Sequence, residues 1–260
     1  MIDVNLKNID KVGDRPRVVS TPYLYAVAEG NIPDHYTRRV LGYRGSLTNG
    51  AWDDISEIDA VLIPLPTVPT PMEVVGAAAD TYAGVGGQVV EVHGLNARWE
   101  EESVTVRMAG ATPVAIGTFR RINNIHVMQV GANGIATDIL CSDVATHNID
   151  YSRILAGNIS LSCHYTIPAN TEGYIVGWSA GSTGAKPTRF VLRVKRDWND
   201  GELTPVYHSQ DIITADSSYT AKQFQIPIKC PSMSDIKISG WATGAGASAS
   251  GSIEIWLEKI

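Results

Sequence analysis

The sequence predicts an all-β chain made of antiparallel sandwiches, with a jelly-roll-like domain at its C-terminal end. Short segments in which apolar and polar residues alternate recur along the chain, and long helical patterns are absent. Turn residues separate these segments, with 24 Gly and 13 Pro among 260 residues. The clearest case is residues 103–108, where Val104, Val106 and Met108 face one way and Thr105 and Arg107 the other.

Residues 1–72 form the first predicted region, an extended N-terminal arm with little regular pattern. Residues 18–27 could hold one strand, and residues 51–58 a short strand or a helical turn. Residues 63–71 carry a proline at almost every second position, which removes backbone donors and fixes φ, so they cannot lie inside a sheet. Because Ile63, Leu65 and Val68 are apolar, we expect this segment to pack against another surface, such as a neighbouring subunit.

Residues 73–157 form the second predicted region, a first antiparallel β domain. Strand patterns occupy residues 88–93, 103–108, 114–116, 125–130 and 135–141, and turn residues such as Gly-Ala-Asn-Gly at 131–134 separate them.

Residues 158–260 form the third predicted region, with about eight candidate strands, the number in a jelly roll. Asp200-Gly201 is the strongest hairpin signal, with a returning strand near Leu203. The alternation in two strands predicts a shared core that contains Phe190, Leu192, Val194, Ile253, Ile255 and Leu257.

The composition argues against several classes of protein. A net charge of −6 argues against non-specific binding of nucleic acid. Arg38-Arg39 and Arg120-Arg121 are expected on solvated faces or beside nearby acids. Cys141, Cys163 and Cys230 show no CxxC spacing, which favours folding in a reducing cytosol. We expect a soluble chain without an export signal or a membrane span.

Few residue patterns suggest chemistry, and we expect no enzyme activity, no cofactor and no metal. Cys141, Asp143 and His147 are ligand types, but their spacing matches no common zinc site. The acidic runs at 53–54 and 100–102 are expected to be solvated, with calcium at a loop as an alternative. Tryptophans at 52, 99, 178, 198, 241 and 256 could stack on sugars, or fill a core or a subunit contact.

Several stretches resemble β-sandwich virion structural proteins of marine tailed bacteriophages. They are residues 92–97, 102–106, 119–122, 165–175, 226–228 and 234–238. The resemblance implies a non-enzymatic component of the virion, a capsid decoration or a spike-like or fibre-like projection, made in the host cytoplasm and bound to capsid or tail proteins. Asn170 stands where a glycine is expected in such a turn, and asparagine tolerates the positive φ.

We predict that the chain forms a homo-oligomer, a trimer by analogy with viral spikes. Trp256 lies on the polar face of the last strand, where an aromatic residue is typical of a packing or subunit contact, and the small residues at 244–251 would allow close approach. The predicted contact residues are Pro64, Leu65, Pro66, Val68, Pro69 and Trp256. The alternatives are a carbohydrate-binding or host-attachment module that uses exposed tryptophans, and a glycan depolymerase with two carboxylates in a cleft.

Overall fold

The computed structural model describes residues 9–12, 15–18, 23–135, 137–155, 157–183, 187–196, 206–244 and 246–260. The N-terminal part contains β1 (Ile9–Val12), β2 (Arg15–Val18), α1 (Tyr23–Ala28), β3 (His35–Arg44) and β4 (Trp52–Asp54). The middle part contains β5 (Thr70–Val75), β6 (Gly87–Leu95), β7 (Glu101–Arg107), β8 (Val114–Phe119), β9 (Arg121–Val130), β10 (Ile139–Asp143) and β11 (Asp150–Ile154). The C-terminal part contains β12 (His164–Thr166), β13 (Thr171–Ser182), β14 (Thr188–Lys195), β15 (Tyr207–Ala215), β16 (Tyr219–Cys230), β17 (Asp235–Ala242) and β18 (Ala249–Lys259).

The protein is nearly all β, as the sequence predicts. Its described part contains one helix of six residues, α1. No helix in that part is both long enough and apolar enough to cross a bilayer.

Eight strands form a jelly roll. They pair as a long antiparallel hairpin folded back on itself: β3 with β18, β12 with β17, β13 with β16, and β14 with β15. The hairpin wraps into two sheets, ordered β16-β13-β18-β3 and β12-β17-β14-β15, and β4 adds to β17. The predicted jelly roll is therefore present.

The roll takes its first strand from the region predicted to be an arm. β3 pairs with β18 along its whole length, from His35 opposite Glu258 to Arg44 opposite Ala249. Val40 on β3 and Leu47 and Ile55 after it are buried in the roll's core. Burial of these apolar side chains stabilises the roll, so residues 35–55 are part of the roll instead of an extended arm.

The shorter N-terminal predictions also differ in detail from the structure. Where one strand was predicted over residues 18–27, β2 ends at Val18 and α1 occupies Tyr23–Ala28. For residues 51–58 the sequence leaves a short strand or a helical turn open, and the structure has the strand, β4.

The remaining strands, β5 to β11, form a second sandwich inserted between the first and second strands of the roll. Its sheets are ordered β11-β10-β5-β8 and β7-β6-β9. Along β7 the predicted alternation is confirmed, because Val104 and Val106 are partly buried and their neighbours are exposed. We call this sandwich the insert.

The predicted shared core of the roll is confirmed: Phe190, Leu192, Val194, Ile253, Ile255 and Leu257 are buried in one cluster. The predicted Asp200-Gly201 turn and Leu203 lie outside the described residues, but β14 and β15 on either side of that turn pair as an antiparallel hairpin.

Two backbone positions show how the sequence accommodates this fold. A Cβ on Gly42 would lie 2.4 Å from the Cys163 nitrogen and 2.6 Å from the Ile55 oxygen, so β3 can pack there only with glycine. Asn170 has a φ of 53°, the positive value expected for the turn before β13.

Candidate functional site

A cleft of about 400 Å³ opens where the roll meets the insert. β3 of the roll forms one wall, and β6, β7 and β9 of the insert form the other. The lining residues are Arg38, Arg39, Val40, Leu41, His93, Gly94, Glu101, Glu102, Ser103, Asn123, Asn124, His126, Ile159, Ser162 and Tyr165. Most of the lining residues have polar side chains and they include both signs of charge, so the cleft can form hydrogen bonds with an occupant.

The insert's wall carries a hydrogen-bonded group of side chains. His93 lies opposite Ser103, and Glu91 opposite His126, so all four share one face of the sheet. Ser103 Oγ lies 2.7 Å from His93 Nδ1, and His93 Nε2 lies 3.1 Å from a Glu91 oxygen. The pKa of His126 is lowered mainly by burial and secondly by the nearby His93. His126 is therefore uncharged at neutral pH.

Ser103, His93 and Glu91 are the residue types of a hydrolase triad, but they are arranged differently. In that triad the serine bonds to Nε2 of the histidine and the acid to Nδ1. Here Ser103 bonds to Nδ1 and Glu91 to Nε2. Ser103 is also exposed and lies within the regular strand β7. This geometry favours a hydrogen-bonding wall over an activated nucleophile.

Contacts across the cleft hold β3 against the insert. The Arg38 guanidinium lies 3.7 Å from Glu101 and 4.8 Å from the centre of the Tyr36 ring. The Tyr165 hydroxyl donates to the same Glu101 carboxylate at 3.4 Å. Burial, followed by the Glu101 charge, raises the pKa of Tyr36 to about 12 and that of Tyr165 well above its usual value. Both hydroxyls therefore remain neutral, and that of Tyr165 is the one that donates to Glu101.

A buried ion pair joins the insert to the roll. Arg121 on β9 donates from Nε at 2.8 Å and from Nη2 at 3.0 Å to the two carboxylate oxygens of Asp235 on β17. Both side chains are fully buried. Nη1 of Arg121 also donates to the Pro66 carbonyl at 2.7 Å, and Trp99 lies against the guanidinium. Such bidentate, charge-assisted pairing fixes orientation as well as distance.

Asp235 is ionised in this setting. Burial alone would raise its pKa, but hydrogen bonds from His164 and Arg121 and the Arg121 charge outweigh burial and hold the pKa far below its usual range. Thr166 also donates to this carboxylate, at 2.6 Å. Burial lowers the pKa of His164, so Arg121 and Lys195, whose ammonium lies 3.6 Å away, supply the compensating charge.

A second buried carboxylate, Asp54, fixes the beginning of the proline-rich connection. It accepts from the Lys237 ammonium at 2.7 Å, from the Ser239 hydroxyl at 2.7 Å and from the Ile63 backbone N–H at 2.8 Å. Its neighbour Asp53, also buried, accepts from the Thr48 backbone N–H. The acidic pair expected to be solvated is therefore structural, because both carboxylates are buried and accept hydrogen bonds from within the chain.

The predicted contact residues Pro64, Leu65, Pro66, Val68 and Pro69 lie in the connection between β4 and β5. Pro66 is buried and Val68 is 62% exposed, while Pro64, Leu65 and Pro69 are half-buried. The segment therefore packs partly on the chain's own joint between the roll and the insert, and Val68 faces solvent. Pro71 follows as the second residue of β5, at the beginning of a strand, where proline is tolerated.

Trp256, the other predicted contact residue, lies on β18 in a row of aromatic rings from its own chain. It stacks on Tyr174 with ring centres 4.7 Å apart and on His35 at 5.6 Å, and the edge of Tyr23 meets it at 5.2 Å. Its indole N–H donates to His35 Nδ1 at 3.1 Å. The contacts that explain an aromatic residue on this face are therefore intramolecular.

The residues weighed as metal ligands serve other purposes. Cys141 is fully buried, which raises the pKa of its thiol, and Asp143 accepts bonds from Thr146 and Ile149. His147 pairs with Glu73 on β5. Within the described ranges, no group of three His, Cys, Asp or Glu side chains is arranged to hold a metal ion.

The tryptophan rings in the described residues have partners within the chain. Trp178 is buried, with its N–H bonded to Asp211 at 2.9 Å. A guanidinium lies over each of three others: Arg193 over Trp52, Arg189 over Trp241, and Arg120 over Trp99. Trp198 lies outside the described residues. These contacts leave less open ring surface for sugar stacking than six tryptophans suggest.

Sequence reasoning missed the Arg121–Asp235 joint and the cleft. Arg121 is expected from the sequence on a solvated face or beside a nearby acid, yet it is fully buried and its acidic partner is 114 residues away. The available signal was local: Arg121 lies between Phe119 and Ile122, both buried. A charge between core residues indicates a buried partner, but the sequence does not say which one.

Comparisons with known proteins give no family for the chain. No protein-family model matches it, and neither does the sequence of any curated protein. Among solved structures, a chain of Sulfolobus Turreted Icosahedral Virus is 10% identical with a TM-score of 0.23, covering 85% of this chain and 90% of its own. A chain of infectious bursal disease virus, strain Gx, is 12% identical with a TM-score of 0.21, and the overlap covers 92% of this chain and 82% of the viral chain. Both are viral, but at these scores the overlaps carry no argument.

Proposed function

We propose that this protein is a non-enzymatic structural component of a virion that associates with copies of itself, as a capsid decoration or a spike-like or fibre-like projection. The observation that carries the proposal is a jelly roll whose edge strands expose apolar side chains. Ile212 on β15 is 50% exposed and Ile226 on β16 is 85% exposed. Jelly rolls recur in viral capsid and lectin domains, and exposed apolar edges are suited to protein contacts.

The joint between the roll and the insert supports the same proposal. A structural subunit must present its surfaces in a fixed relation, and the bidentate Arg121–Asp235 pair together with the Arg38–Glu101 contact holds the two sandwiches at one orientation. The sequence resemblance to virion proteins of tailed bacteriophages supports a place in the particle, with capsid or tail proteins as partners.

A carbohydrate-binding module, the alternative from the sequence, has less support. Trp256 is stacked within its own chain, and Trp52, Trp99 and Trp241 each carry a guanidinium over the ring. No observation specifically favours sugar binding.

Two measurements test the proposal. Sedimentation of the purified protein at micromolar concentration should give an oligomer, and for the proposed trimer a mass three times 28.0 kDa. Immunogold labelling of purified virions with an antibody against the chain should decorate the particle surface. Unlabelled particles, in a preparation whose infected-cell lysate contains the chain, would contradict a virion role, and a monomer at every concentration would contradict self-association.

A further inference from the structure

The free edge of β3 borders the cleft. Four consecutive residues of this strand, Arg38 to Leu41, all line it. Successive side chains of a strand point to opposite faces, so a space touched by four in a row must lie beside the strand's backbone edge. β18 pairs with the other edge of β3. The cleft therefore lies where a further strand of this sheet would be.

The backbone groups on this edge are directed into the cleft. The N–H of His35 donates to the Ile32 oxygen at 3.4 Å and that of Tyr43 to the Leu161 oxygen at 3.3 Å, both away from β18. In an antiparallel strand alternate residues direct both N–H and C=O to the same side, so Arg39 and Leu41 do likewise. In the described part of the chain, neither of these two residues forms a backbone bond on that side.

We propose that an extended segment of a second copy, residues 1–8, enters the cleft as an added strand on β3. This inference rests on the proposed self-association and names the contact that produces it. A strand paired with β3 would lie about 4.8 Å from it, alongside the four residues, Arg38 to Leu41, that line the cleft. Such pairing satisfies Arg39 and Leu41 and removes an open sheet edge.

The opposite wall suits the far edge of such a strand. An added strand has a second row of N–H and C=O groups, which need partners once they are enclosed. Ser103 and Asn124 line that wall and carry side-chain donors and acceptors. Charges of both signs, from Arg39 and Glu102 among others, lie at the same cleft.

Residues 1–8 have the pattern of such a strand. In Met-Ile-Asp-Val-Asn-Leu-Lys-Asn, apolar residues at 2, 4 and 6 alternate with polar residues at 3, 5 and 7. Asp3 and Lys7 supply one charge of each sign, matching the mixed charge of the cleft. The segment precedes β1 and lies outside the described residues. A reciprocal exchange between copies would fill each cleft and close the assembly.

A variant that lacks residues 1–8 and a labelled peptide with the sequence of residues 1–8 test the inference. The full chain should sediment as an oligomer and the variant as a monomer, and the peptide should bind the variant in fluorescence anisotropy. N-methylation of the peptide at alternate residues should weaken binding at least about tenfold for the set that faces β3, because the backbone donors that pair with Arg39 and Leu41 are lost, and less for the other set.

A matched pair of substitutions tests the edge itself. Leu41→Pro removes the N–H that faces the cleft at an edge position where proline is tolerated, and Leu41→Ala keeps it. Each substitution is introduced separately into the variant that lacks residues 1–8. Leu41→Pro should abolish binding of the peptide, and Leu41→Ala should not.

Three outcomes would overturn the inference. Equal binding of both N-methylated peptides and the unmodified peptide would show that the occupant is not a strand. A monomeric full chain, with peptide binding by the variant, would place residues 1–8 in their own cleft and would also contradict self-association. An oligomeric variant would remove the exchange and leave the proposed self-association intact.

Discussion

At the scale of single residues, Arg121 and Asp235 carry the largest electrostatic contribution of the joint, because both are charged and fully buried. Removing one partner of such a pair leaves an uncompensated charge inside the protein. We expect Arg121→Ala and Asp235→Asn each to lower the free energy of unfolding by about 3–5 kcal/mol, measured by urea denaturation at neutral pH. Glu172→Gln, which breaks the surface pair with Lys229, is the control and should change it little. A similarly small change at Asp235 would contradict the role of the joint.

The same carboxylate predicts a dependence on pH. The folded pKa of Asp235 lies below that of an unfolded aspartate, about 3.9, so its contribution is fully present above that pH and is lost as the pH falls towards the folded pKa. The wild-type protein should therefore lose stability below about pH 4 more steeply than Asp235→Asn, which has no proton to take up there. Parallel curves for the two proteins from neutral to acid pH would show that this aspartate does not titrate as described.

At the scale of elements, the strands with clean alternation were predictable and the first strand of the roll was not. β7 and β18 show period-two patterns that the structure reproduces. In β14 the predicted inward residues are buried, but Val191 and Lys195 on the opposite face are buried too. β3 reads His-Tyr-Thr-Arg-Arg-Val-Leu-Gly-Tyr-Arg, in which two adjacent arginines and a buried glycine obscure the inward face. Its register comes from β18 at the other end of the chain, and a local pattern cannot show a partner so distant.

The cleft could not be predicted for the same reason. Its walls come from β3 and from the insert, and single-strand patterns predict neither which strands become neighbours nor which edges stay open. His93 and Ser103 are ten residues apart and became a pair only through the β6–β7 hairpin register. The six roll core residues were predictable because each depends only on the alternation of its own strand.

The role of β3 leads to a prediction about truncation. Deletion of residues 1–72 would remove β3 and β4 and uncover Val40's neighbours in the core, so the variant should lose the cooperative melting of the roll or be insoluble. Deletion of residues 1–8 is the matched control and should leave the melting temperature nearly unchanged once both proteins are compared as monomers. Thermal unfolding followed by circular dichroism measures both. A soluble 73–260 fragment with an intact transition would contradict the assignment of β3.

At the scale of the whole molecule, stability should come from the two cores and the joint, without a contribution from bound metal. Chelation by EDTA should therefore leave the melting temperature unchanged within error, because Asp143 and His147 already bond within the chain. His147→Ala at the Glu73 pair provides a comparison, since it removes a partner of a buried carboxylate. A large drop in melting temperature with EDTA would instead indicate calcium at a loop.

The pairing of β3, the first strand of the roll, with β18, the last, also fixes the order of folding during synthesis. Val40 pairs with Ile253, roughly 210 residues later, so at 5–20 residues per second β3 waits about 10–40 s for its partner to leave the ribosome. The insert, which ends at Ile154, can fold during that interval. β3 meanwhile presents an unpaired edge and apolar side chains to the cell, a state that invites chaperone binding or aggregation. The roll begins first along the chain and is completed last.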